Sequence, residues 1–104
     1  MPYKRLYKTL TPEELSELLR DARKRHWEFV DLIDTQICKL PYSIGSLTSL
    51  QELCLFRTQI RKLPNSIRNL KNLRELNLND VQTIRELPSS IGDFFLSVKF
   101  LSLI

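Results

Sequence analysis

The sequence predicts an α/β fold in which short parallel strands alternate with helical turns, preceded by one α-helix. Three observations support this fold class. Leucine supplies 20 of the 104 residues. Leu-Pro pairs recur at Leu40, Leu63 and Leu87, at intervals of 23 and 24 residues. A helix-start signal, Thr11-Pro12-Glu13-Glu14, lies ahead of these pairs. A fixed interval of this length is typical of repeats that stack into a solenoid.

The repeat unit has the pattern L-x-x-L-x-L-x-x-T-x-I-x-x-L-P-x-S-I-x-x-L, which fits residues 27–49, 50–72, 73–97 and, in part, 98–104. In the second unit Leu53 and Leu55 alternate with other residues, as in a strand with one buried face. Pro64 ends that strand, and the apolar spacing after it indicates a helical turn. Because one unit is too small to bury its own apolar face, the core must form between units, which predicts a parallel sheet and a curved solenoid.

Residues 1–26 are predicted to form an N-terminal helical cap. Its helix is expected over residues 12–26, with an apolar stripe of Leu15, Leu18, Leu19 and Ala22 on one face. The end of a solenoid exposes apolar surface, so we expect this stripe to cover the first strand. The cap and the repeats of residues 27–104 would then make one structural domain.

A threonine column is predicted to stabilise the turn after each strand. Thr35 and Thr58 hold equivalent positions, where a hydroxyl can bond to backbone groups that the turn leaves free. The third repeat has one extra residue within positions 79–83, which puts Val81 where the threonine is expected. Either a bulge or a water molecule would have to restore the contact there.

These motifs resemble the leucine-rich repeat family, with Thr at a position that Asn or Cys holds more often. The L-P-x-S-I-G-x-L variant is similar to repeats of plant disease-resistance receptors, of intracellular Ras-group proteins and of bacterial relatives. The resemblance implies a short horseshoe with its parallel sheet on the concave side and a protein ligand bound there. The chain has no counterpart of the receptors' nucleotide-binding domain or of the ligase domain in some bacterial members, so neither activity carries over.

The exposed strand positions form the candidate partner-binding surface. Its residues are Phe29, Ile33, Asp34, Glu52, Cys54, Phe56, Arg57, Glu75, Asn77, Asn79 and Asp80. With Asp31, this surface has five carboxylates against one arginine, although the whole chain has a net charge of +4. An apolar centre of Phe29, Ile33 and Phe56 with a charged rim is typical of a binding patch. The alternative is that Phe29 and Ile33 pack beneath the N-terminal helix.

Catalytic and metal sites are not expected. His26 is the only histidine, and the repeat pattern places it away from Cys38 and Cys54. Glu52 and Glu75 share a column on adjacent strands, but an open surface neither desolvates a carboxyl group nor holds a substrate. Two glycines exclude a glycine-rich phosphate loop. The sequence therefore predicts no enzyme activity, no cofactor and no metal.

The expected function is a non-catalytic protein–protein interaction module. One alternative is an inhibitor or regulatory subunit of an enzyme or effector. A second is weak nucleic-acid binding by the basic N-terminal helix, with Arg20, Arg23, Lys24 and Arg25. Nucleic acid is the less favoured ligand, because acidic residues offset the positive charge of this helix. In addition, no aromatic residues for base stacking lie between its cations.

Compartment and membrane association are constrained by composition. Two cysteines are too few for a disulfide scaffold, and no apolar run has secretory or membrane-spanning length. We therefore expect a cytoplasmic protein that is not bound to a membrane.

The last strand is predicted to form a self-association edge. Val98, Phe100, Leu101 and Leu103 fit the repeat columns, and no capping pattern follows them. Unprotected strand edges favour pairing with another chain. Either the chain forms homo-oligomers through this strand, or it is part of a longer repeat array.

Overall fold

A computed structural model of the chain describes residues 10–79, 81 and 100–102. One α-helix precedes the strands, and a 3₁₀ helix lies in each of the first two repeats. The elements are α1 (Pro12–Lys24), β1 (Phe29–Asp31), the first 3₁₀ helix (Tyr42–Ser46), β2 (Glu52–Cys54), the second 3₁₀ helix (Asn65–Asn69), β3 (Glu75–Asn77) and β4 (Phe100–Ser102). In this described part, no helix has the length and apolar character needed to cross a membrane.

Helix α1 begins as the sequence predicts and ends two residues earlier. The Thr11 hydroxyl oxygen accepts from the Glu14 backbone N–H at 3.1 Å, and a Glu14 carboxylate oxygen accepts from the Thr11 N–H at 2.9 Å, which completes a capping box. The predicted end at residue 26 is wrong because His26 has a φ of 56°, a left-handed conformation that cannot continue a right-handed helix. The helix therefore ends at Lys24.

The strands form one parallel sheet in the order β1-β2-β3-β4. Val30, Leu53 and Leu76 are register partners, so equivalent positions of successive repeats lie side by side. Hydrogen bonds continue beyond the strands, since the Asp34 N–H donates to the Phe56 carbonyl at 2.9 Å and the Arg57 N–H to the Asn79 carbonyl at 3.1 Å. The repeat interval therefore sets the register of the described sheet.

The core is one cluster that runs from α1 through the described parts of the first three repeats. It contains Val30 of β1, the leucines of β2 and β3, and the isoleucine of each described 3₁₀ helix, Ile44 and Ile67. From α1, Leu15, Leu19 and Ala22 are buried, whereas Leu18 is only partly buried and packs against the cluster. Helix α1 contacts the first 3₁₀ helix, which contacts the second. The apolar surface is thus buried between repeats.

The threonine column bonds to the backbone as predicted. The Thr35 hydroxyl donates to the Leu32 carbonyl and the Thr58 hydroxyl to the Leu55 carbonyl, both at 2.9 Å, and both side chains are buried. In the third repeat Val81 is buried, and its N–H donates to the Leu78 carbonyl at 3.3 Å. The backbone contact of this turn is therefore retained without a hydroxyl group at position 81.

The first and second repeats approach each other closely at Gly45. The Ser66 hydroxyl donates to the Tyr42 carbonyl at 2.6 Å, and a Cβ atom on Gly45 would lie 2.5 Å from the Ser66 carbonyl oxygen. The Asn72 amide donates to the Thr48 carbonyl at 2.7 Å, which adds a second side-chain link between these repeats. Position 45 therefore requires the absence of a side chain.

We expect Gly45→Ala to lower the free energy of unfolding by about 1–3 kcal/mol, because the added methyl group overpacks the contact with Ser66. Urea denaturation followed by circular dichroism measures this. Ser43→Ala, an exposed change in the same 3₁₀ helix, is the control and should stay within about 0.5 kcal/mol of wild type. Equal stability of the two variants would show that the repeats do not meet at Gly45.

Candidate functional site

The outward side of the sheet carries three rows of side chains. Alternation along each strand buries the central residue, such as Leu53, and leaves Glu52 and Cys54 half-buried on the opposite side. Residues two positions beyond the strands continue the same alternation. We call this surface the sheet face. Its described residues are Phe29, Glu52 and Glu75 in the first row, Asp31, Cys54 and Asn77 in the second, and Ile33, Phe56 and Asn79 in the third.

The first row is acidic. Glu52 and Glu75 are register partners on adjacent strands, which lie about 4.8 Å apart. Glu52 is half-buried and Glu75 is exposed. Among the described residues, neither carboxylate takes part in a salt bridge. Like charges in direct register repel each other, so this end of the sheet face favours a cation.

The polar side chains of the second row bond to their own backbone. An Asp31 carboxylate oxygen accepts from the Ile33 N–H, and the Asn77 amide oxygen accepts from the Asn79 N–H, both at 2.9 Å. Each bond turns the chain immediately after its strand. Cys54 holds the equivalent position in β2 and is half-buried. Asp31 and Asn77 therefore have a structural role that the sequence analysis did not identify.

The third row is mainly apolar, and a charged pair lies beside it. Ile33 and Phe56 are half-buried. The Arg57 guanidinium carbon lies 5.0 Å from the centroid of the Phe56 ring, and Arg57 Nη1 lies 3.7 Å from Asp34 Oδ1. Asp34 and Arg57 both have left-handed backbones, with φ of 61° and 60°. Both side chains of this ion pair are more than two-fifths exposed, so it adds at most about 1 kcal/mol to stability.

The structure brings most of the predicted partner-binding residues onto one surface. Eight of them lie in the rows of the sheet face, and Asp34 and Arg57 lie in the turns beside it. Phe29 and Ile33 are half-buried and not fully enclosed. Their part in binding stays a prediction. Asp80 lies outside the described residues.

The predicted self-association edge is described only in part. Phe100 and Leu101 lie in β4, where they are register partners of Glu75 and Leu76. Val98 and Leu103 lie outside the described residues. Association through this strand stays a prediction.

A groove that the sequence analysis missed lies between the start of α1 and the segment around residue 40. Its volume is about 640 Å³, and Leu10, Leu15, Ile37 and Pro41 supply apolar walls, with Lys39 and Cys38 also lining it. Tyr42 also lines the groove and is 72% exposed. Among the described residues, no other large hydrophobic side chain is exposed. In the repeat pattern Tyr42 holds a surface position, so the sequence distinguishes it from other surface residues only by the size of its aromatic side chain.

One unforeseen contact involves the histidine. His26 Nδ1 lies 3.5 Å from the Ser49 hydroxyl oxygen, across 23 positions of sequence. That distance exceeds the usual range for a serine activated by a histidine. Within residues 10–79, 81 and 100–102, no three His, Cys, Asp or Glu residues are grouped to hold a metal ion. Neither Cys38 nor Cys54 forms a disulfide.

We expect Asn77→Ala to lower the free energy of unfolding by about 1 kcal/mol, because the Asn79 N–H loses its acceptor. Asn77→Asp is the matched variant and should lose less than about 0.5 kcal/mol, since Asp31 makes the same bond with a carboxylate oxygen. Chemical denaturation compares the two. Equal losses would contradict the assigned role of the acceptor oxygen.

The family comparison agrees with the parallel, leucine-based layers of the structure. Residues 48–91 match the family model for leucine-rich repeats, in two copies. No curated protein matches the chain at a significant level. The matched segment covers the second repeat and most of the third, where β2 and β3 lie in register. Residues 48–91 therefore consist of leucine-rich repeats.

Proposed function

We propose that the chain is a non-catalytic interaction module that binds a protein ligand on the sheet face. Leucine-rich repeat domains generally mediate protein–protein interaction, which supports the broad function. The sheet face is assigned here as the concave side of a short horseshoe. This assignment follows from the stacking of parallel strands on one side and 3₁₀ helices on the other.

The observation that carries this proposal is the apolar pair of Ile33 and Phe56 in the third row, with Phe29 at the first-row end of the same face. These side chains lie on the outward side of the sheet, are only half-buried, and have carboxylates beside them. An apolar centre with a charged rim is the usual composition of a protein-binding patch. Phe56 is the strongest anchor, because Arg57 packs over its ring and limits its motion.

Helix α1 is proposed as the N-terminal cap, with residues 1–26 as the cap and 27–104 as the repeats. Leu15, Leu19 and Ala22 belong to the same buried cluster as the first strand, so the helix removes apolar surface of the first repeat from water. Its polar side faces outward. The cap leaves the sheet face as the surface available to a partner.

The absence of catalysis and a cytoplasmic location are also part of the proposal. The contact between His26 and Ser49 lies on an exposed surface that does not shield a reaction from water, and two cysteines without a disulfide suit a reducing compartment. A module that inhibits or regulates an enzyme would use the same surface. Nucleic-acid binding by α1 gains no support, because Arg25 pairs with Asp21 at 3.0 Å and Arg23 and Lys24 lie at the helix end where cations stabilise the dipole.

We expect Phe56→Asp to weaken partner capture about thirtyfold, because truncation of a central aromatic anchor with burial of a charge removes about 2 kcal/mol or more. Affinity capture from extracts of the source organism with quantitative mass spectrometry measures the loss. Circular dichroism confirms that each variant is folded, and Phe56→Ala replaces the Asp variant if it is not.

Tyr42→Asp is the matched control, because it changes an exposed aromatic residue that lines the groove and not the sheet face. This variant should capture the same partner as wild type. Retention of the partner by Phe56→Asp, or its loss only with Tyr42→Asp, would place the binding site elsewhere.

A further inference from the structure

The sheet face has two chemically different ends. Glu52 and Glu75 form the acidic end, and Ile33 and Phe56 form the apolar end. Along β2 and the turn after it, Phe56 lies four positions after Glu52. At about 3.3 Å per residue in a strand, this corresponds to about 13 Å. A ligand that uses both ends must therefore carry two different groups at this separation.

Among the described residues, no cation forms a salt bridge with the two carboxylates of the acidic end. The ion pairs of Arg25 with Asp21 and of Arg57 with Asp34 involve other residues. Arg57 lies at the opposite end, over the Phe56 ring. The remaining exposed cations between residues 58 and 74 are outside the rows of the sheet face: Arg61, Lys62, Arg68, Lys71 and Arg74. This charge pattern is complementary to a cationic partner.

The middle of the face is polar. Asp31 and Asn77 each use one side-chain oxygen to hold the turn after the strand, and Cys54 lies between them. The Asp31 carboxylate adds negative charge to this row, so a basic ligand that crosses the described rows meets no cation between the two ends.

The size of the face restricts the form of the partner. Its four described strands span three strand spacings, or about 14 Å. Together with a length of about 13 Å, this is far below the roughly 800 Å² that each side of a standard protein interface buries. One extended segment fits this area, whereas a globular surface does not.

We infer that the sheet face binds a single basic segment of its partner protein. Lysine or arginine side chains of the segment lie over Glu52 and Glu75, and an apolar side chain lies against Ile33 and Phe56. In an extended segment these groups are four residues apart, since side chains separated by an even number lie on the same side. This inference rests on the proposed function and names the chemistry of the partner.

Short synthetic peptides test the inference of a basic segment. They are titrated into the ¹⁵N-labelled full chain and followed by nuclear magnetic resonance, which detects weak binding and shows which residues are affected. One peptide carries two lysines separated by one residue, so that both lie on the same side of an extended segment, and a phenylalanine four residues beyond the second lysine, in a Gly/Ser background. A second has glutamates in place of the lysines. A third places the phenylalanine beside the lysines. The first peptide should shift the amide signals of β1, β2, β3 and the turns after β1 and β2. It should bind at least fivefold more tightly than the third peptide, while the second should not bind.

Glu52→Gln with Glu75→Gln should weaken the first peptide about tenfold, because two charge pairs are lost. Glu13→Gln with Glu17→Gln is the control, since it makes the same change of net charge on the exposed side of α1 and should alter the affinity less than twofold. Raising the salt from about 0.05 M to about 0.5 M should weaken the binding further.

Three results would refute the inference of a basic segment. They are binding of the glutamate peptide as tightly as the lysine peptide, wild-type affinity of the double Gln variant, and no shift of the sheet-face amide signals by any lysine peptide. Partner capture separates this failure from that of the proposed function. If Phe56→Asp abolishes capture of the partner but the double Gln change does not affect it, the partner still binds the sheet face. That result overturns only the inference that the bound segment is basic. A partner that survives Phe56→Asp overturns the proposed function itself.

Discussion

The structure depends on one packing constraint, which is that no repeat can bury its own leucines. A repeat provides a three-residue strand and a short 3₁₀ helix, and neither encloses an apolar side chain. Leu53 is 1% exposed only because Val30 and Leu76 lie beside it in the neighbouring strands. Parallel register, helix stacking and the position of α1 all follow from this need for neighbours.

The same register creates the sheet face. When equivalent positions of successive repeats align, their outward side chains stack into rows, so charge and apolar character accumulate instead of averaging out. This alignment places Glu52 beside Glu75 and Ile33 beside Phe56. Burying the leucines on one side thus determines which side chains a partner meets on the other.

Features that depend on local sequence were predictable, and features that depend on tertiary geometry were not. The capping box at Thr11 and the hydroxyl bonds of Thr35 and Thr58 involve residues three positions apart, so pattern alone identified them. The end of α1 was missed because it depends on the left-handed backbone of His26. The contact of His26 with Ser49 was missed for a different reason, since it joins two elements that the sequence separates.

Within the candidate site, the sequence predicted which residues lie on the sheet face better than it predicted what each of them does there. Alternation placed Asp31 and Asn77 on the outward side, but their bonds to the backbone depend on the turn after each strand. The pattern likewise gave no reason to single out Tyr42, because its exposure beside a groove depends on how α1 packs against the first repeat. The repeat pattern predicts the rows of the sheet face and their charges. Hydrogen-bond partners and grooves can be identified only in the three-dimensional structure.

Native-state hydrogen exchange tests the shared core most directly. The Leu32 amide bonds the first repeat to the second, and the Leu55 amide bonds the second to the third, both at 2.9 Å. Leu53→Ala removes a buried side chain from the middle layer and should cost about 2–5 kcal/mol. If the repeats share one core, the free energies of exchange of both amides fall by that same amount. A loss at Leu55 with full protection retained at Leu32 would contradict the account.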